Sequence, residues 1–417
     1  MMREESASGG AEITAVQPGE PGAAQARAGR PLRVVHALKH GKRGNGSVHV
    51  AVDLACSQSD AGHQVWFAAA PGSYDDLMRE HGVHVVVQPE LTSARSFARG
   101  ASGLLALVRS IDADVIHAHM MSSAATAWAV SRVTGATTVT TLHNSFDRHW
   151  WLMRAGKVMV AVSEAERALL RDRGVPPRKV RVVLNGAIGS AREELPPDDV
   201  GPLQRPGIIA VSGLHGRKGV DDLIRAFALV SDDFPQWHLN VVGWGPDREA
   251  LEAQVADAGL AGSVHFLGPS LTPWVQLEQS EIFASAALDE PFGLNVAEAR
   301  AAGCAIVATS VGGVPEILEH GRAGQLVPPH DAAAMAAALR NLMSDPAELA
   351  RARHRSASGT EWLAASRMAA DYEAVYREVI PSRRARSLAA PPRTVHRGAA
   401  RRTRRAAQRV KEADSTL

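Results

Sequence analysis

Residues 32–70 read LRVVHALKHGKRGNGSVHVAVDLACSQSDAGHQVWFAAA. A β-branched run is followed by a turn carrying Gly44 and Gly46, a helix-forming stretch, and a second apolar run. A strand, a glycine turn and a helix returning to another strand make a βαβ unit, and the apolar runs lack strict alternation, as strands buried on both faces do. The same rhythm continues through VHVVV (83–87), ADVIHAH (113–119), ATTVTTLH (136–143), KVMVAVS (157–163) and KVRVVLNG (179–186). It breaks over 187–206, AIGSAREELPPDDVGPLQRP, where Pro, Gly and charge predict a linker. It restarts at GIIAVSG (207–213) and runs through HLNVVGWG, SVHFLG, EIFAS, CAIVATS and GQLV. The expected fold is α/β: two Rossmann-like parallel-sheet domains, over 31–186 and 207–360, facing a cleft. A helix over 361–380 is expected to close the fold by returning to the first domain. Residues 1–30 and 381–417 are read as disordered tails, the second of them basic.

Composition narrows the function. The chain has 417 residues, 45% hydrophobic and 22% charged, as ordinary soluble domains do. Its two cysteines, Cys56 and Cys304, make no disulfide framework, and no signal peptide or run of 18 apolar residues is read from the sequence. A cytoplasmic location is expected. The net charge of +2 conceals an asymmetry: residues 381–411 carry eleven Arg and Lys and no acidic residue, so the remainder, with 35 basic against 44 acidic residues, stands at −9. An acidic body argues against nucleic acid as a partner. The basic stretch is expected to be a solubilising tail or to adhere to anionic lipid at the inner face of the membrane.

Four segments carry candidate chemistry. The turn at Gly44 and Gly46 lets backbone N–H groups approach an anion, although it is not a G-x-G-x-x-G fingerprint. In DADVIHAH, His117 and His119 are expected on opposite faces of a strand end, one toward the covering helices and one toward the cleft. Asp112 and Asp114 have D-x-D spacing, but they precede the strand, where aspartates cap turns, and no metal is expected. In SGLHGRKGVDDLIRAF, Arg217 and Lys218 precede a helix and form a candidate diphosphate clamp. In DEPFGLNVAEARAAG (289–303), Glu290 and Glu298 are eight residues apart, which on one helix leaves them about 80° apart. Pro291 and Gly293 instead place Glu290 in a loop and Glu298 within the helix that follows, with free N–H groups between them. Acidic acceptors flanking an anion hole match hydroxyl, phosphate and hydroxyl groups in series, the layout of a nucleotide sugar.

The segment EPFGLNVAEARAAGCAIVATSVGGVPEILEHGRAGQLV (290–327) resembles the donor-binding signature of retaining glycosyltransferases of the family-4 class, which have the GT-B fold. SGLHGRKGVDDLIRAF, VVGWGPDREAL, AVSEAERALL and VVLNG resemble family segments in the expected order, over roughly 32–380. The resemblance implies that Glu298 holds ribose hydroxyls and Glu290 the donor sugar. It implies that the backbone of Phe292, Gly293, Leu294 and Asn295 lines sugar and phosphates, and that Lys218 binds the diphosphate. His119 would then sit by the transferring carbon, with Gly46 approaching the β-phosphate. Gly213 stands where the family has an arginine, and Arg217 is expected to replace that cation. Also, SAALD stands in place of the usual Pro-Ser before the paired glutamates. The implied activity is metal-independent, retaining transfer from a nucleoside-diphosphate sugar to a glycan or lipid-linked acceptor, with no cofactor beyond the donor. A sugar-nucleotide epimerase or a non-catalytic sugar-nucleotide-binding protein are the alternatives. A glycosidase, which also uses paired carboxylates, is disfavoured by the basic residues beside them.

Overall fold

The strands form two wholly parallel sheets, in which successive strands are joined by crossovers rather than hairpins. A computed structural model describes residues 29–198 and 202–381; the first 28 residues and the stretch from 382 onward, with nearly all of the basic segment, lie outside the described residues. The first sheet comprises β1 (Arg33–Ala37), β2 (Gln64–Ala69), β3 (His84–Val87), β4 (Val115–Ala118), β5 (Thr137–Leu142), β6 (Val158–Ala161) and β7 (Val180–Val182), ordered β3-β2-β1-β4-β5-β6-β7. The second comprises β8 (Gly207–Val211), β9 (His238–Val242), β10 (Val264–Gly268), β11 (Ile282–Ser285), β12 (Ala305–Thr309) and β13 (Gln325–Val327), ordered β10-β9-β8-β11-β12-β13. The expected pair of parallel-sheet α/β domains is therefore observed.

Burial explains the unbroken apolar runs. Every residue of β4, β5, β6 and β12 is buried, because helices cover both faces. On one face of the second sheet, Ile224 and Phe227 pack with Leu339 and Leu342 over Val241 and Ile282. On the other, Val296 and Ala297 of the helix Leu294–Ala301 pack with Ile209, Phe283 and Ile306. In each sheet the strand order reverses between neighbours, β1 beside β4 and β8 beside β11, so their following loops diverge and open a crevice.

The last helix, Ala365–Val379, lies against the helix Gly46–Asp60 of the first sheet. Its entry passes close to the chain leaving β7: Ala187 N donates to Leu363 O at 2.7 Å and Ala365 N to Ile188 O at 2.8 Å. A side chain at Gly186 would put Cβ 2.6 Å from Ala365 Cα, so the approach requires glycine there. The segment 187–206 is more than a spacer. It contains a 3₁₀ turn, Ala191–Glu194, whose Arg192 is 1% exposed. Among the described residues no helix is long and apolar enough to cross a membrane.

Candidate functional site: a cavity between the two sheets

Loops following β1, β4, β5, β8 and β11 line a cavity of about 610 Å³. Eight of the ten residues singled out from the sequence are among its walls: Gly46 and His119 from the first half, and Arg217, Lys218, Glu290, Phe292, Gly293 and Leu294 from the second. Asn295 and Glu298 are not.

The second-half wall is built from a glycine-dependent turn. Gly293, with φ 102°, ends the loop and opens the helix Leu294–Ala301, whose first N–H groups have no intrahelical acceptor. Behind it Gly312, with φ 49°, passes so close to Glu290 that a Cβ would lie 1.8 Å from its carbonyl oxygen. That approach lets Gly313 N donate to the same carbonyl at 3.0 Å, which fixes the Glu290 backbone. Lys218 Nζ donates to Glu290 Oε2, and both side chains are largely buried. The Arg217 guanidinium lies over the Phe146 ring, 4.9 Å from its centroid. At Gly213 a Cβ would meet the His215 ring at 2.6 Å, so an arginine there would have to displace that imidazole.

The first half contributes a second helix start. Asn45 caps the helix Gly46–Asp60, its side chain accepting from Ser47 N at 3.1 Å, and Asn45, Gly46 and Ser47 all line the cavity. The cap Asn45 adds a side chain to the glycine turn expected from the sequence. Hydrogen bonds join the two halves at the PFG loop: Ser163 Oγ donates to Pro291 O at 2.7 Å. Glu316 accepts from Glu164 N at 2.9 Å and Ala165 N at 2.8 Å, satisfying free donors of a helix from the other half. Side chains that meet only after folding give no local signal in the sequence.

The side chains of the two residues outside the cavity walls have partners of their own. Asn295 Nδ2 donates to Val211 O at 2.8 Å, tying the helix to the end of β8. Glu298, buried as its apolar neighbours suggested, meets Arg192, whose Nη2 donates to its Oε1 at 3.0 Å. The same guanidinium engages Asp53 through Nε at 3.1 and 2.9 Å. Burial pushes both carboxyls up, and the guanidinium opposes the shift. Arg192 Nη1 is buried without a partner among the described residues.

The histidine expectation needs correction. His117 and His119 share a face, with ring centroids 4.0 Å apart, because residues two apart on a strand project to the same side. His117 is sealed between Thr141 Oγ1 and Tyr376 Oη, each at 2.7 Å. His119 reaches the cavity, but both of its nitrogens are engaged, by His36 at 2.9 Å and His143 at 3.1 Å. Burial lowers the basicity of all four imidazoles, His36 to about 4 and His143 to about 3, so they are neutral near pH 7. Nitrogens of His36, His117 and His119 lie within 4.8 Å of one another, a grouping with the donors for a metal. All six of those nitrogens already have hydrogen-bond partners, which a metal would have to displace. The D-x-D pair is a strand anchor: Asp114 accepts from Arg33 N at 2.9 Å, and Asp112 pairs with the Arg33 guanidinium at 2.9 Å.

One further carboxyl was not singled out. Glu166 is buried, its Oε1 accepts from Ser145 Oγ at 3.0 Å, and its Oε2 has no partner among the described residues. Burial first, then Asp289 and Glu290 nearby, push it up to about 7.

Two parallel-sheet domains whose loops meet over a cavity of this kind are the GT-B architecture. Anabaena HepE, solved in complex with UDP-glucose, shares the fold with a TM-score of 0.71 at 20% identity, covering 83% of this chain and 99% of that one. The family description "Glycosyltransferase Family 4" matches residues 44–187, and "Glycosyl transferases group 1" matches residues 192–359. The chain belongs to the family-4 glycosyltransferases. The D-inositol 3-phosphate glycosyltransferase of Streptomyces avermitilis is 33% identical over 248 residues, 52% of this chain and 51% of that protein. The GDP-mannose-dependent alpha-(1-6)-phosphatidylinositol monomannoside mannosyltransferase of Mycolicibacterium smegmatis is 34% identical over 167 residues, 38% of this chain and 43% of that protein. The chain thus spans about half the length of these curated relatives.

Proposed function

We propose that this protein transfers a glycosyl group, with retention, from a nucleoside-diphosphate sugar to a hydroxyl of a glycan or lipid-linked acceptor. The observation that carries the reading is the convergence of Arg217, Lys218 and the open helix start at Gly293 on one cavity wall, with His119 and Gly46 opposite. As the glycosidic bond breaks, negative charge grows on the departing diphosphate and positive charge on the sugar carbon. Fixed N–H dipoles and two cations stabilise the first without reorganising. Lys218 is held by Glu290 until a diphosphate competes for it. Freed from that pair, Glu290 has two oxygens to accept sugar hydroxyls. In this reading neither a metal nor an enzyme nucleophile takes part, and the acceptor enters from the first-half side of the cavity. HepE is solved with UDP-glucose and the Mycolicibacterium smegmatis relative is GDP-mannose-dependent, so uridine and guanosine diphosphate sugars are both candidates here. The basic stretch 381–411 would hold the enzyme to anionic lipid at the cytoplasmic face, near a lipid-linked acceptor.

Incubation with UDP-, GDP- and ADP-sugars and detection of released nucleoside diphosphate tests the proposal. One donor consumed in an acceptor-dependent way is expected. Interconversion of sugars without release would favour an epimerase, and binding without turnover a sugar-nucleotide sensor.

A further inference from the structure

The first-half wall of the cavity is apolar where the chain leaves β3, β4 and β5. Leu91 and Phe97, Met120 and Met121, and Leu152 and Met153 line the cavity from these three places. Leu91 and Met153 are buried and the other four half-buried, so the surface they offer is hydrocarbon and thioether. Their elements pack together: the helix Met121–Thr134 lies against both the helix Ala94–Ser110 and the 3₁₀ segment Trp150–Ala155. One lysine lines the same half. Lys39 follows β1, which lies between β3 and β4 in the sheet, and its Nζ makes no hydrogen bond or ion pair among the described residues.

Such a wall sets the chemistry of what it binds. A glycan hydroxyl pressed on methionine, leucine and phenylalanine loses water and gains no hydrogen bond, an unfavourable exchange. The amide and carboxylate that also line this half are already engaged: Asn144 Oδ1 accepts from Phe146 N at 3.2 Å, and Asp147 Oδ1 from His149 N at 2.7 Å. An alkyl chain gains from the same wall, in proportion to the area it removes from water. Methionine, unbranched and adaptable, suits a ligand of no fixed shape. An unpaired lysine adds a preference for an anion at one end of that chain. Outside the cavity the same elements expose Trp128 and Val133 on the helix Met121–Thr134, and Trp151 beside Leu152. Residues 91–163 hold seven Arg and Lys against three Asp, and two of those, Asp112 and Asp114, face Arg33. Exposed tryptophan with surplus cations is what a protein face turned to anionic lipid carries.

We propose that this wall is the seat of a phosphorylated lipid acceptor. Its hydrocarbon chain lies along Leu91, Phe97, Met120, Met121 and Leu152, and its phosphate pairs with Lys39. That the lipid accepts a sugar rests on the transfer reading above; the affinity of the wall for an alkyl phosphate does not. A free oligosaccharide has no hydrocarbon chain to bury there, so the acceptor class narrows from glycan or lipid to lipid.

Carbon-13 labelling of the methionine methyls in the full chain reads the wall directly, with Met120→Leu and Met121→Leu spectra assigning the two signals. Octyl phosphate, kept below its aggregation threshold, should shift both signals saturably. Butyl phosphate should bind at least about tenfold more weakly, since each buried methylene contributes up to about fourfold. Inorganic phosphate should leave both signals in place. Octyl glucoside, which lacks the anion, should bind about tenfold more weakly than octyl phosphate, and Lys39→Gln should remove that difference. Signals that ignore octyl phosphate, or that respond equally to butyl phosphate, overturn the hydrocarbon seat. An advantage of octyl phosphate that survives Lys39→Gln overturns the pairing with Lys39. Transfer is read separately, with the donor and acceptor sugar that the panel selects. An acceptor carrying that sugar on an alkyl phosphate should have a KM at least about tenfold below that of the same sugar without the chain, and Phe97→Ser should narrow the gap. Equal KM values overturn the proposal. A panel without any turnover would reject the transfer reading, and the methionine signals would still decide the wall.

Discussion

Arg192 Nη2 donates to Glu298 Oε1 at 3.0 Å while its Nε holds Asp53, so one buried cation from the crossover segment joins a carboxylate from each half. Glu298 was read from the sequence as a ribose ligand, and its oxygen is here already engaged. A ribose at Glu298 would therefore have to share the carboxylate with Arg192, or use the second oxygen.

Arg192→Met should be strongly destabilising. It leaves Asp53 and Glu298 buried without their cation, a change that typically costs about 3–5 kcal/mol. Urea unfolding checks it; a loss under about 1 kcal/mol would show that water solvates the carboxylates once the guanidinium is gone.

Lys218→Met and Arg217→Ala should each weaken nucleoside diphosphate binding by about tenfold or more, since a charge-assisted contact contributes about 1.5–3 kcal/mol. Glu290→Gln should instead leave that affinity intact or raise it, because Lys218 is released, and should lower turnover. Calorimetry with UDP, GDP and ADP beside the transfer assay separates the two. Unchanged affinity in both cation variants would show that the helix starts alone hold the phosphates.

Tyr376→Phe removes the hydroxyl between His117 Nδ1 and Gln58 and leaves buried polar atoms unmatched. The expected loss is about 1–3 kcal/mol in denaturant unfolding. No change would mean that a water replaces the hydroxyl beneath the last helix.

Glu166 gives a pH signature. Its carboxyl is raised from 4.5 to about 7 on folding, so the native state binds the extra proton between those values. Stability from this group is then full below the unfolded value, falls as pH rises from about 4.5 to about 7, and is flat above. Glu166→Gln should remove the fall, making the variant more stable relative to the parent at pH 8 than at pH 4.5, by up to about 3 kcal/mol. An equal difference at both pH values would place the Glu166 titration elsewhere.

Much of the architecture was legible because it is written locally. Runs such as VVHA and AIVAT name buried parallel strands, and Gly293 and Gly312 mark turns that only glycine can make. Arg217, Lys218 and Glu290 were visible because charges beside glycine turns at strand ends have few structural uses. His36, Gln58 and His143 were not singled out, since a lone histidine in a strand or loop carries no signal of which imidazole it will meet. The error over His117 and His119 was one of strand geometry, not of missing information.

The sequence by itself determined the strand–helix alternation, the two-sheet class and the family-4 donor segment, because each depends on residues close along the chain. Only the tertiary structure decided which polar groups became partners. Arg192 lies 106 residues from Glu298 and 139 from Asp53, and Tyr376 lies 259 from His117. A side chain taken out of water must find its hydrogen bonds among whatever folding brings beside it. That choice is made by packing, across distances over which the local pattern of residues is silent.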